Sequence, residues 1–277
     1  MSNLAPLING VGIPLAVSTI ILLIGLRIRK QGAHAWLAAV AGSFGFAASG
    51  VALSGMPELP PINVINWMIL LMPVIPAVIL LINSVKSKFW AALSWVPVFA
   101  VTSWLIAQPM IEYHWESTGV AVWWIGSLAV IGAAFRWVLA MVEEKTENGY
   151  VMLFTLIGLL TLTSVLLLLS GSLLLAQYAG ALAAATGPAL LLIRFGGQER
   201  VLVYATGVVA FGVIGFLTLG HFFAELTLLN SGLVLLAGLI PVTIRMTRVN
   251  HQHVLHFASM AVPAMMAIII AWRQSGY

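Results

Sequence analysis

NGYVMLFTLIGLLTLTSVLLLLSGSLLLAQYAGALAAATGPALLLI is the sequence of residues 148–193, and it contains no Asp, Glu, Lys, Arg or His. A helix needs about 20 apolar residues to cross the hydrocarbon of a bilayer, so this run is long enough to cross twice. Its middle, Leu169-Ser170-Gly171-Ser172-Leu173, holds the residues that favour a turn. The sequence therefore predicts a membrane hairpin of two helices, Tyr150–Ser170 and Leu173–Arg194.

The composition of the whole chain indicates the same environment. Hydrophobic residues make up 61% of the 277 residues and charged residues 7%, whereas a soluble domain carries about 25% charged residues. The net charge of +4 comes from basic residues spread over many loops, which excludes a nucleic-acid-binding patch. Because the chain has no cysteine, it can form no disulfide, thiol nucleophile or thiolate metal site.

We expect an all-α polytopic membrane bundle of about ten transmembrane helices with short loops, in a single domain over residues 1–277. The second span is rich in Ala, Gly and Ser, which let helices approach closely, so it is expected to be central. Prolines inside the third and fourth spans predict kinks. The expected spans are Val11–Leu26, His34–Leu53, Val64–Ile82, Trp90–Ile111, Gly119–Val142, Tyr150–Ser170, Leu173–Arg194, Val201–Phe223, Leu228–Ile244 and Val254–Trp272.

The distribution of basic residues predicts the orientation. If ten spans alternate, every Lys and Arg except Arg273 falls on one side of the membrane. Basic residues in short loops mark the cytoplasmic side, so both termini are expected outside, in a bacterial inner (plasma) membrane. A shift of 138 residues aligns the small residues of spans two and seven. This weak match predicts a 5+5 inverted repeat, 1–147 and 148–277, of the kind common in transporters; chance similarity of two Ala/Gly-rich helices is the alternative.

Four residues are candidates for binding a solute inside the membrane: Arg136, Gln177, Tyr178 and Ser49. Arg136 is the one charge placed well within a span, and a buried Arg marks a contact with a substrate or partner. Its positive charge would suit an anionic group on a solute or lipid. The alternative is that its long side chain extends to the inner interface, which lies two helical turns away.

A second group of residues, on the outer side, has the composition of a metal site. His221 and Glu225 are spaced i, i+4, so they share a helix face. Imidazole and carboxylate at this spacing can bind Zn²⁺, Mn²⁺ or Fe²⁺, and Glu112, His114 and Glu116 could complete the ligand set. The alternative is that these five residues end their spans in water, and no other cofactor is expected.

A haem would need two histidines at matched depth, and His34 with His256 meets this condition crudely. These residues belong to an inner group with His251 and His253. Histidines this close to a span end are more often solvated than haem ligands.

Three functions are compatible with this pattern. The first is a permease for a small or lipidic solute, for which a polar cavity between spans two, three, seven and eight is expected. The second is a non-catalytic anchor or scaffold subunit of a larger membrane complex, which a solid interior would favour. The third is a metal- or haem-dependent membrane enzyme. The expected partners are the lipid bilayer and other membrane subunits or further copies of the chain, and not nucleic acid.

Overall fold

A computed structural model describes residues 4–27, 34–61, 63–144, 149–196, 198–246 and 252–274. Within these ranges the chain is helical apart from short connections, and no strand occurs in them. Eight of the described helices are long and apolar enough to cross a membrane. The protein is therefore an all-α polytopic membrane helix bundle, as the sequence predicts.

The described helices follow the predicted spans closely, and we number them α1–α10. A break at Gly187 and Pro188 divides α7 into α7a and α7b. Their bounds are Ala5–Arg27 (α1), His34–Ser54 (α2), Val64–Asn83 (α3), Lys88–Tyr113 (α4), Thr118–Glu144 (α5), Gly149–Leu169 (α6), Leu173–Thr186 (α7a), Ala189–Gly196 (α7b), Gln198–Phe223 (α8), Leu228–Met246 (α9) and Gln252–Gln274 (α10).

Prolines interrupt regular α-helix in three of these elements. In α3 a 3₁₀ turn, Met72–Val74, contains Pro73, and α4 is broken at Ser94, three residues before Pro97. These two irregularities lie in the spans where kinks were predicted. The break in α7 corrects the prediction of a continuous helix over Leu173–Arg194. Pro188 explains it, because proline lacks an N–H and its ring clashes with the carbonyl four residues earlier.

Of the eight spans, α8 is the most buried, and α2, which the sequence predicts to be central, packs against α1, α3, α7 and α8. Within the apolar window of each helix, 83% of residues are buried in α8 and 56% in α2. Helix α8 packs against α2, α4, α5, α6 and α7a. Glycines on α8 admit side chains from its neighbours, and a Cβ at Gly207 or Gly215 would lie 2.6 Å from Ile79 or Met68 of α3. Helix α8 is thus the axis around which the bundle packs.

Gly45→Ala is expected to separate α1 from α2. A Cβ at Gly45 would overlap Ser18 Oγ and lie 2.8 Å from the carbonyl oxygen of Pro14, and a backbone atom cannot rotate away. Overpacking of this kind costs about 1–3 kcal/mol, so the midpoint of thermal unfolding in detergent should fall by ~5 °C. Gly126→Ala, in α5, is the matched control, because nothing lies within 4 Å of its Cβ position. An equal fall in both variants would contradict the close packing of α1 on α2.

The number of crossings, the orientation and the inverted half-repeat stay predictions, and cysteine labelling tests the first two. Since the native chain contains no cysteine, each single variant carries one reporter. A membrane-impermeant maleimide should label all five variants from the cytoplasmic side and none from the other side. Labelling from both sides within this set would contradict ten alternating spans. The positions are Lys30, Ser87, Thr146, Gly197 and Val249.

Candidate functional site

Two buried charges lie on one face of α5. Arg136 is 5% exposed and Glu143 is 8% exposed. They are seven residues apart, which places them about two helical turns from each other on the same side of the helix. The Glu143 carboxylate is close enough to interact electrostatically with the Arg136 guanidinium. Each charge thus lowers the cost of burying the other.

Helices α4 and α8 each place one further side chain beside this pair. The Arg136 Cζ atom lies 5.7 Å from the centre of the Trp95 ring of α4, a distance at which a cation is attracted to the ring face. The Thr206 hydroxyl of α8 donates a hydrogen bond of 3.0 Å to Glu143 Oε2, and Thr206 is fully buried. We call these four residues, Arg136, Glu143, Thr206 and Trp95, the Arg136 cluster.

Local sequence brings the three helices together at this point. The break at Ser94 makes Trp95 the first residue of the long segment of α4. On α8, Gly207 follows Thr206, and a Cβ at Gly207 would lie 3.5 Å from Cη2 of Trp95. The indole ring of Trp95 therefore lies beside α8 at Gly207, where the missing side chain leaves room for Ile79 of α3. A cation, a carboxylate, a hydroxyl and an aromatic ring meet in a part of the membrane bundle where charges are rare.

In the orientation that the basic residues predict, the Arg136 cluster lies toward the cytoplasmic end of the bundle. Arg136 is eight residues from the end of α5 at Glu144, which corresponds to about 12 Å along the helix. Sequence reasoning offered the alternative that the Arg136 side chain extends to the aqueous interface. In the structure the residue is buried in protein and its guanidinium lies near the Trp95 ring. The charge is therefore held between helices.

Ser49 lies near the C-terminal end of α2, which is the outer end in the predicted orientation, and Tyr178 of α7a contacts the same end of α2. Ser49 Oγ donates to the Asn9 carbonyl oxygen at 2.6 Å, and Asn9 Nδ2 donates to the Ala52 carbonyl oxygen at 2.9 Å. Tyr178 donates to Ser54 Oγ at 2.7 Å. These hydrogen bonds join α1 and α7a to α2. Gln177 is half-buried beside Tyr178. The four residues predicted to bind solute therefore do not form one group, and their role in binding stays a prediction.

Tyr178→Phe is expected to reduce stability slightly if the hydroxyl has only this structural role. Hydrogen bonds between membrane helices contribute about 0.6 kcal/mol on average, so the midpoint of thermal unfolding should fall by ~2 °C. Tyr113→Phe is the matched control, because Tyr113 is 79% exposed at the end of α4. A Tyr178 variant of unchanged stability that loses solute uptake would instead assign the hydroxyl to a binding site.

The space between α2, α3, α7a and α8 is filled mainly by apolar side chains. The Phe46 ring of α2 lies 5.9 Å, centre to centre, from both Tyr178 of α7a and Phe216 of α8. Met68 of α3 packs against Gly215 of α8. A polar cavity was expected here for a permease, and the apolar packing of these described residues is the arrangement expected for a scaffold subunit. The described buried charges instead lie between α4, α5 and α8.

The loop after α4 contacts the end of α8 that carries His221. Trp115, in the loop after α4, lies 5.6 Å from the Phe222 ring at the end of α8. His221 Nδ1 is 2.9 Å from the Leu226 carbonyl oxygen, which can only accept, so Nδ1 carries the proton and Nε2 is free to accept one or to bind a metal. The carboxylates of the predicted set and His114 are exposed; these are Glu112, His114, Glu116 and Glu225.

Among the residues that the structure describes, no group of three or more His, Asp or Glu side chains could hold a metal ion. The metal hypothesis stays a prediction without geometric support. The inner histidines proposed for haem cannot be placed, since His251 and the side chains of His34, His253 and His256 lie outside the described part of the chain.

Sequence reasoning named Arg136 and missed the other members of the cluster. Glu143 carries a readable signal, because a separation of seven residues places it on the same helix face as Arg136. Thr206 is one of many hydroxyl residues in apolar spans, and no pattern separates it from the others. Trp95 has no signal either, since its importance comes from contact with a helix distant in sequence. No protein-family model matches the chain, and neither a curated protein nor a solved structure matches it.

Proposed function

We propose that this chain is a permease for a small or lipidic solute, located in an inner (plasma) membrane. One observation carries the proposal, namely the burial of Arg136 and Glu143 between α4, α5 and α8. A charge inside a membrane bundle is costly and is a functional-site hypothesis by default. An anionic group is the chemistry that a buried guanidinium recognises, since its planar donors match carboxylate and phosphate oxygens.

The interrupted helices support a function that needs movement. Helix α4 is broken at Ser94, directly beside Trp95 of the Arg136 cluster, and α3 has a 3₁₀ turn at Met72–Val74. Residues at the ends of helical segments can absorb the backbone changes of hinge motions. A hinge at Ser94 would move Trp95 relative to α5 and α8, and so change access to Arg136 from the inner side.

Unbiased uptake measurements test the proposal even though the identity of the solute is open. Proteoliposomes containing the purified protein would be incubated with a bacterial metabolite extract, washed, and analysed by mass spectrometry against protein-free vesicles. A parallel sample with fluorescent phospholipids would report movement of lipids between leaflets by dithionite quenching. We expect at least one anionic solute or lipid to move only in the presence of the protein.

Equal contents in both preparations, together with unchanged lipid quenching, would contradict the permease. Purification from native membranes with stoichiometric partner subunits would then favour the non-catalytic scaffold.

A further inference from the structure

We infer that Glu143 is a resident counter-ion that the anionic group of the solute replaces, and that a proton is bound by Glu143 when this happens. The inference rests on the proposed function and gives its coupling ion. In the resting state the Arg136 guanidinium is balanced by the Glu143 carboxylate. In the loaded state the anionic group of the solute balances Arg136, and the displaced Glu143 carboxylate takes one proton from the aqueous phase.

Charge balance is the first reason for this exchange. Arg136 and Glu143 are both buried, and together they are neutral. Addition of an anion alone would bring one more negative charge into a region of low dielectric, which is strongly unfavourable. One proton on Glu143 offsets that added charge. A monoanion would therefore cross together with one proton, without net movement of charge.

The hydrogen bond of Thr206 is the second reason. Its hydroxyl donates to Glu143 Oε2 at 3.0 Å in the structure. A hydroxyl can both donate and accept. By rotation about its C–O bond, the same group can accept a hydrogen bond from the protonated carboxyl. Thr206 can thus satisfy Glu143 in both protonation states, which a backbone N–H or a lysine could not do.

The helices packed against this pair also carry titratable groups. Helix α5 packs against α4, α8 and α9. On the inner halves of these helices, the described side chains that titrate are Lys88 of α4 and Tyr204 of α8, and the side chains of Glu144, Glu199, Arg200 and Arg245 lie outside the described part of the chain. Glu143 is the carboxylate that interacts with Arg136, so we assign the proton to the group that the anion displaces.

Chemical rescue tests the exchange with a small anion in place of the natural solute. In Glu143→Gln the carboxylate is replaced by a neutral amide of the same shape, so Arg136 loses the negative charge of Glu143 and can accept a small external anion. The midpoint of thermal unfolding would be measured in detergent with sodium formate, and with sodium gluconate at equal ionic strength as the bulky control. We expect formate to raise the midpoint of this variant by ~5 °C relative to gluconate, which corresponds to about 1–2 kcal/mol.

The double variant Arg136→Met/Glu143→Gln is the matched control and should not respond to formate. A phosphatidylglycerol arm, in mixed micelles, distinguishes a lipid headgroup from a soluble anion as the source of the anionic group. If formate or phosphatidylglycerol stabilises Glu143→Gln but not the double variant, the result supports the exchange. Absence of stabilisation by both probes, or an equal response of the double variant, overturns it.

The wild-type protein gives a second measurement that does not depend on folding of Glu143→Gln. Because anion binding and proton binding are coupled, the probe that rescues the variant should stabilise wild type more at pH 5.5 than at pH 8, and Arg136→Met should show no such difference. A pH-independent response overturns proton coupling. If an anion stabilises Glu143→Gln but wild-type proteoliposomes take up no solute, the permease is refuted and the anion site is retained. If wild-type proteoliposomes take up solute but no anion stabilises Glu143→Gln, the exchange is refuted and the permease is retained.

Discussion

Glu143→Ala is expected to lower the free energy of unfolding by about 3–5 kcal/mol, the range found when one partner of a buried charge pair is removed. The carboxylate interacts with Arg136 inside the bundle, so its loss leaves a buried guanidinium without that counter-charge. It also removes the acceptor of the Thr206 hydroxyl. In detergent, the midpoint of thermal unfolding should fall by ~10 °C for a chain of this size.

Three further variants separate the charge from other effects of the substitution. Arg136→Met/Glu143→Ala should be more stable than Glu143→Ala alone, because the double variant buries no unbalanced charge. Thr206→Val, which keeps the shape and removes the hydroxyl, should cost about 1.5–3 kcal/mol. Glu112→Ala is the control for loss of an exposed carboxylate and should be neutral. If the double variant lost as much stability as the two single variants together, the two charges would not interact.

The fold could be predicted from the sequence because lipid restricts the alternatives. Backbone polar groups must be satisfied within each span, so an uncharged run such as 148–193 has to form helices. The turn at Gly171 follows from residue type, since its φ of +88° favours glycine. The central position of α8 could not be predicted. It depends on which side chains enter the spaces at Gly207 and Gly215, and those side chains belong to α3.

The candidate site was predictable only where its members share a helix. Arg136 stands out as a charge within an apolar span, and helical spacing alone leads from it to Glu143. Trp95 and Thr206 come from helices that lie about 40 and 70 residues away in the chain, and helical periodicity gives no information on contacts between helices. For the same reason, the sequence could not show that Arg136 and Glu143 lie between α4, α5 and α8. The order of helices in space decides which residues meet.

Arg136→Met is expected to abolish solute accumulation by proteoliposomes while the protein remains folded. Methionine keeps much of the apolar stem and removes the charge. Glu143 then remains buried, where it can become neutral by binding a proton and keep its hydrogen bond to Thr206. Loss of the charged partner of a buried anion costs about 2–5 kcal/mol of binding, so uptake at low solute concentration should fall by a factor on the order of 100 or more.

Two control variants, Arg136→Lys and Arg273→Met, show whether the loss of uptake is specific to the buried guanidinium. Lysine keeps the positive charge but presents it as a point, without the planar donors that bind two oxygens at once, so it should restore only part of the uptake. Arg273 is exposed near the end of α10, and its replacement removes the same charge without changing the buried cluster. Uptake rates would be measured by mass spectrometry on vesicles of equal protein content. If Arg136→Met transported as fast as wild type, the solute would cross elsewhere, and the buried pair would be a device for helix packing alone.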